Sequence, residues 1–520
     1  MNAKFKPLGL VAAVAAATAG YTGVTTAQTD VAGNGLGDVG LIPYYTVRDG
    51  FVTGVHVTNT SDRTQVVKIR LRRGVDSMDA LDFNVIMSPK DVWTGFLQDE
   101  GDNIVFNTTD TSCTAPAAQN GKFVMPGIYR EGAEEGYIEV IAMGAPESED
   151  DPIARAAKHT SEGVPFDCAG VRSNFFAGGT FQGQPRGVAA HDRTNQIGVA
   201  TGSPDGTTTY TPPGNPLQVS FFLRDAASGL EMGNQAVMLE NFLVDEPAIT
   251  NQQFGLFSGD LLGFDYPDLN GGVPGTGNSG KFVELRSAIG NASVINDWSA
   301  NADLNVGTDW VITFPGQYTM LDLPHYFASL LTEGTEDEIP CNRGTAQPAG
   351  SFAGLDAGCD HRDIPAIASF DVYDREEQQR ALPDGELVVS PQLPGAEVRT
   401  QLPYEVNVVQ WGAEPVLGSV NSDIVVQVPE SPFGWAELSV SSNTSGDLAV
   451  CEATSSNSGV NIAGGASEIV AAVTAYGCDT TGVVAGEIPK IGFVAWERSF
   501  PGNPDANYGR AIEHAYGSGF

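Results

Sequence analysis

Val67-Lys68-Ile69-Arg70-Leu71-Arg72-Arg73, and then Leu81-Asp82-Phe83-Asn84-Val85, decide the fold. In both runs an apolar side chain alternates with a polar one, the period of a strand that buries one face of its sheet. Upstream, Tyr44-Tyr45-Thr46-Val47 and Phe51-Val52-Thr53-Gly54-Val55-His56-Val57 flank Asp49-Gly50. That dipeptide accepts the positive φ angles of a tight turn, and it predicts a hairpin. Further short strands are predicted at 136–143, 218–223, 310–314, 368–373, 386–390, 404–411, 423–428, 435–440 and 490–496. Helical candidates are few and short. With 62 Gly and 31 Pro and no alternation of strand with helix, the pattern predicts an all-β protein. Its expected architecture is antiparallel β-sandwich domains with long Gly/Pro-rich loops and a few short helices.

The stretches 146–216 and 265–280 are rich in Gly, Pro, Asp, Asn and Ser and read as loops or insertions. They suggest an N-terminal β-sandwich over 28–245, a loop-rich middle region over 246–385 and a C-terminal β-domain over 386–520. Alternatively, the last of these shares a sheet with the N-terminal part. Residues 1–27 stand apart. Lys4 and Lys6 precede an apolar run from Leu8 to Ala19, too short to anchor in a bilayer, and Thr25 and Ala27 are small residues ahead of Gln28. That is the pattern of a cleavable secretory signal peptide, so the expected location is secreted, extracellular or cell surface, in a Gram-negative bacterium.

Composition narrows the functions. The formal charge is −37, two units more negative once Lys4 and Lys6 leave with the signal. Such a field repels nucleic acid and favours solubility and divalent cations. Six cysteines, Cys113, Cys168, Cys341, Cys359, Cys451 and Cys478, form an even set in an exported chain and predict disulfides, most simply between sequence neighbours. Cys341, Cys359 and His361 lack the C-x-x-C pair and fourth ligand of a zinc site.

Chemical motifs fall short in other places too. Gly275-Thr276-Gly277-Asn278-Ser279-Gly280-Lys281 resembles a phosphate loop, but no strand precedes it and Phe282 stands where a hydroxyl must meet Mg²⁺. G-x-S-x-G and H-E-x-x-H do not occur. A pair of carboxylates brought together by folding would still suffice for glycoside hydrolysis. Asp265, Asp268 and Asn270, followed by Gly271-Gly272, supply oxygen ligands in a tight turn and form a candidate Ca²⁺ site without the spacing of an EF-hand. No cofactor is otherwise required. Lys68, Arg70, Arg72 and Arg73 are the densest basic cluster in the chain. They are expected to form an assembly contact with the acidic surface of another copy or with anionic lipopolysaccharide, the alternative being local ion pairs with Asp76, Asp79 and Asp82.

Three blocks carry a resemblance. The first comprises Gly37-Asp38, Tyr44-Tyr45-Thr46-Val47, Val57-Thr58-Asn59-Thr60-Ser61, Asp82-Phe83-Asn84 and Ser88-Pro89-Lys90-Asp91-Val92-Trp93-Thr94. The second is Thr308-Asp309-Trp310-Val311-Ile312-Thr313-Phe314-Pro315 with Tyr373-Asp374-Arg375-Glu376-Glu377, and the third Ile491-Gly492-Phe493-Val494-Ala495-Trp496 with Asn507-Tyr508-Gly509-Arg510. They resemble an uncharacterised family of exported proteobacterial cell-surface proteins. The resemblance implies surface location and a β-rich fold, and brings no catalytic residues.

The reading that results is an exported structural or interaction protein that self-assembles into a coat, layer or fibre, with Ca²⁺ as a bridging ion. Its partners would be other copies of itself or cell-surface components. Two alternatives remain. The alternation of Ile512, His514, Tyr516 and Phe520 suits an outer-membrane β-barrel. Trp93, Trp298, Trp310, Trp411, Trp435 and Trp496 could supply the platform of a carbohydrate-binding or carbohydrate-active protein.

Overall fold

The computed structural model describes residues 28–175 (without 76, 78, 126, 128, 129 and 174), 210–249 (without 245 and 246), 269, 280–316, 320–322, 366–380, 400–426 (without 413, 414 and 423), 431–442, 448–450 and 488–517. These form several antiparallel sheets with three short helices, an all-β sandwich-type fold.

Two sheets come from the N-terminal half. The labelled strands are β1 (Val39–Thr46), β2 (Phe51–Asn59), β3 (Gln65–Arg73), β4 (Asp79–Met87), β5 (Val92–Asp99), β6 (Glu135–Pro146), β7 (Leu217–Asp225) and β8 (Leu230–Gln235). The first sheet runs Asp30–Val31, Val237–Glu240, β1, β6, β3, β4, Cys113–Ala115; the second runs β8, β7, β2, β5, Ile104–Asn107, Lys122–Val124. The sheets face each other because each offers one apolar face. Phe83 of β4 stacks on Phe123 at 4.0 Å between centroids and meets Trp93 and Phe106 at 5.6 and 5.7 Å, all from the second sheet. Each large apolar side chain buried there stabilises the fold by about 1.5–3 kcal/mol relative to exposure.

The predicted hairpin at Asp49-Gly50 is a turn of another kind. Asp49 and Gly50 do take positive φ, at 51° and 87°, but β1 and β2 belong to different sheets. The turn carries the chain across the core, and the Thr53 hydroxyl closes it by donating to the Thr46 carbonyl at 2.8 Å. The reason is burial. Ile42 and Tyr44 of β1 and Val55 and Val57 of β2 all enter one core from opposite sides, which two adjacent strands of a single sheet cannot do as fully.

Two further large sheets lie after residue 245, and a two-stranded sheet there pairs Met320–Asp322 with Leu448–Val450. Their labelled strands are β9 (Ser293–Ser299), β10 (Val306–Thr313), β11 (Ala366–Asp374), β12 (Val406–Trp411), β13 (Phe433–Ser442), β14 (Ile491–Arg498) and β15 (Tyr508–Glu513). One sheet runs Gln379–Arg380, β11, β13, β9, Ala515–Gly517; the other runs Ile424–Val426, β12, β10, β14, β15, with Ile424–Val426 parallel to β12. Trp298 from the first stacks on Trp411 from the second at 5.2 Å and 7°, and Trp310 adds a third indole. Strands on both sides of residue 385 thus share these sheets. Among the described residues no ladder joins a strand before residue 245 to one after it. Among the described residues no sheet closes on itself, and Ile512 and Tyr516 pack against the C-terminal core.

The two sandwiches meet through the sheet carrying β10 and β14, which is buried on both faces. Val311, Phe493 and Ala495 join the N-terminal core, and Trp310, Ile312 and Val494 the C-terminal one. This explains why Ile491 to Trp496 is a continuous apolar run rather than an alternating one. Phe221 of β7 meets Phe493 at 5.6 Å, the Thr313 hydroxyl donates to the Pro43 carbonyl at 2.6 Å and the Val406 amide donates to the Gly74 carbonyl at 2.8 Å.

Candidate functional site

The basic cluster is not at the surface. Lys68, Arg70 and Arg72 occupy the face of β3 opposite Val67, Ile69 and Leu71, and this second face is buried too, with exposures of 0%, 0% and 1%. Each cation has an internal carboxylate: Lys68 meets Asp82 at 3.4 Å, Arg70 meets Asp79 at 3.2 Å and Glu139 at 3.4 Å, and Arg72 meets Glu139 at 3.3 Å. Lys68, Arg70 and Arg72 thus face Asp79, Asp82 and Glu139 across β4, β3 and β6. Burying such charges is tolerable only when they are paired. Arg73 turns aside, and its guanidinium donates to the Glu131 carbonyl at 2.9 Å. The predicted assembly contact is therefore corrected to an internal charge ladder. Asp79 and Asp82 were legible as partners because they are close in sequence, but Glu139 was not.

The far end of the same face is apolar. Val66, Ile86 and Met143 lie under the helices α1 (Pro152–Ala157) and α2 (Cys168–Ser173). The disulfide Cys113–Cys168, with 5.0 Å between Cα atoms, fastens α2 to the sheet edge, as neighbour pairing predicted. Cys341, Cys359, Cys451 and Cys478 lie outside the described residues, as do Asp265, Asp268 and Asn270. Among the described residues no cluster of His, Cys, Asp and Glu is arranged to hold a metal ion.

A polar cleft of about 580 Å³ opens at the seam between the sandwiches, beside the Asp49-Gly50 turn and against Gly418 and Val420 of the C-terminal half. Arg48 meets Glu134 at 3.5 Å and Glu135 at 3.2 Å; Arg130 meets Glu134 at 3.0 Å and Asp99 at 2.8 Å. Glu135 is the hub behind the cleft. It accepts from the Tyr44 hydroxyl at 2.8 Å, the Ser419 hydroxyl at 2.6 Å and the Val420 amide at 3.0 Å. Burial, with Glu135 beside it, pushes the Tyr44 phenol well above its ordinary range, so it stays a donor. From the other side, Asp309 accepts from the amides of Val416 and Leu417 at 2.9 and 2.8 Å. Two carboxylates from two sandwiches thereby grip the loop 416–420. The cleft's guanidinium groups are held by acids, and among the described residues its lining includes no hydroxyl or thiol nucleophile beside a base. Its geometry is that of a joint that can hold a small polar group.

The C-terminal sandwich also contains ionisable groups that have no counter-ion among the described residues. Lys490 is 0% exposed, its ammonium nitrogen has no hydrogen-bond partner, and burial pulls its pKa down to about 7. His514 donates from Nε2 to the Val311 carbonyl at 3.0 Å, leaving Nδ1 to accept from Asn296 at 3.1 Å, and burial lowers its pKa to about 4. Burial raises Asp309 to about 7 against the pull of its two amides.

Of the six tryptophans, Trp93, Trp298, Trp310, Trp411 and Trp496 are buried. Trp435 is 39% exposed and stacks on Tyr373 at 4.3 Å with 8° between the planes. Alternation in β13 alone could have placed Trp435 on either face, and only its partner strands decide. No family model, no curated protein and no solved structure matches the chain.

Proposed function

We propose that this protein is an exported structural or interaction protein of a bacterial cell surface, assembling with other copies of itself through acidic faces bridged by Ca²⁺. The observation that carries the reading is where the cations go. The chain has 27 Lys and Arg against 64 Asp and Glu, and the densest basic cluster is withdrawn into buried ion pairs. Two copies therefore meet acid to acid, and a divalent ion between them removes the repulsion. The interlocked sandwiches, with a shared core and a twice-gripped loop, provide a rigid unit for such packing.

The test is to fractionate producing cells and to image the purified full chain with Ca²⁺ and with a chelator. Protein recovered in the surface fraction, with sheets or filaments that dissolve on chelation, is the expected outcome. A cytoplasmic protein, or one that stays monomeric by light scattering at every Ca²⁺ concentration, overturns the reading.

A further inference from the structure

The outer face of the sheet formed by β11, β13 and β9 carries three cross-strand rows whose chemistry changes in steps. The first is Asp297, Trp435, Tyr373; the second Ile295, Glu437, Asp371; the third Ser293, Ser439, Ser369. Rows on one face lie roughly 7 Å apart along the strands. Asp297, Trp435, Ser439, Ser369 and Asp371 are exposed. The opposite face is the one that builds the tryptophan core, through Trp298, Val294 and Leu438. A large indole on the outer face is therefore not needed to fill that core.

The geometry of the aromatic row is specific. Tyr373 and Trp435 sit on adjacent strands, and their ring centroids are 4.3 Å apart and nearly parallel. Rings separated by about the spacing of neighbouring strands face each other across the gap between them. One face of Trp435 is thus taken by Tyr373, and its other face looks over β9, where the residue in register is the short, exposed Asp297. The result is an open step in the sheet face: an exposed indole beside the shorter Asp297, with further carboxylates and hydroxyls one and two rows away. Ser293 already donates to Glu437 at 2.6 Å, which orients that carboxylate.

We infer that this step binds a neutral hexose polymer. The axial C–H groups of a pyranose carry partial positive charge and lie against the electron-rich face of an indole. Its hydroxyls donate to the carboxylate acceptors beside it, so apolar body and polar rim are matched within one ring. Charge excludes acidic polysaccharides, because the chain is at −37 and the step has Asp297, Asp371 and Glu437 around it. This gives the surface reading a partner and does not depend on self-assembly, so either can fail without the other.

The test is affinity electrophoresis and intrinsic tryptophan fluorescence on the purified full chain, using hydroxyethyl cellulose and glycogen as neutral probes and alginate as the acidic one. Retardation by at least one neutral polymer and none by alginate is expected. Trp435→Ala should weaken binding about tenfold or more, while Trp435→Phe, which keeps a ring to stack on, should retain part of it. Asp297→Asn should weaken it a few-fold. Far-UV circular dichroism and the melting temperature of the variants check that the sheet is intact, as expected for an exposed position. Three outcomes overturn the proposal: no retardation by either neutral polymer, retardation by alginate alone, or a neutral-polymer shift that Trp435→Ala leaves unchanged in a folded protein.

Discussion

The two sandwiches handle buried charge in opposite ways. In the N-terminal one, Lys68, Arg70 and Arg72 are set against Asp79, Asp82 and Glu139, each within 3.4 Å of a carboxylate of opposite charge. In the C-terminal one, Lys490, Asp309 and His514 are each buried without an opposite charge among the described residues, and desolvation moves each towards its neutral form. Paired charges resist titration because proton loss or gain orphans the partner. Lone ones respond to pH across the neutral range. Lys490, Asp309 and His514 therefore make the stability of the C-terminal sandwich and its seam depend on pH, and the paired N-terminal network is sensitive to mutation.

The largest expected effect tests the lone lysine. Its folded pKa near 7 lies below its ordinary 10.5, so the unfolded chain holds the extra proton between those values and stability rises with pH across that window. Lys490→Met should raise unfolding free energy by roughly 5 kcal/mol in mildly acidic buffer, and the gain should fade towards about pH 10. Urea titrations at several pH values measure it. If the gain were the same at every pH, the lysine would have a partner and the contrast between the sandwiches would fail.

Glu139→Gln probes the other side. It removes one carboxylate from both Arg70 and Arg72 in a fully buried setting, and a loss of about 3–5 kcal/mol is expected, read from urea unfolding curves. A change below about 1 kcal/mol would show the ladder to be solvated and would reduce it to an ordinary surface network.

The smallest of the three concerns His514. Its folded pKa near 4 lies below the ordinary 6.5, so stability is fully present above about pH 6.5 and declines as pH falls towards 4. His514→Gln should abolish that decline, worth at most about 3 kcal/mol by linkage. Calorimetric melting temperatures of both forms across that window give the answer.

Much of the architecture was legible from the chain because strand periodicity is local. The alternation in β3 and β4 marks half of each strand for a core, and Phe83, Ile69 and Leu71 are in one. The strand expected over 490–496 is present as β14, and only the structure shows it buried on both sides. The disulfide between Cys113 and Cys168 followed from an even cysteine count. Residue 385 did not mark a boundary, because β11 pairs with β13 across it and strand pairing between distant segments leaves no local signature.

The sequence by itself determined that this is an acidic all-β chain with one apolar face per strand, since composition and a period of two require only neighbouring residues. The polar faces were left undetermined. A lysine or arginine on the second face of β3 is written identically whether that face meets water or another layer, and only the packed sheets decided that it meets Asp82, Asp79 and Glu139. The same holds for the tryptophans, alike in sequence, of which the tertiary structure buried five and left Trp435 exposed. Burial is a property of what lies across the space from a residue, and residues far apart in the chain supply it.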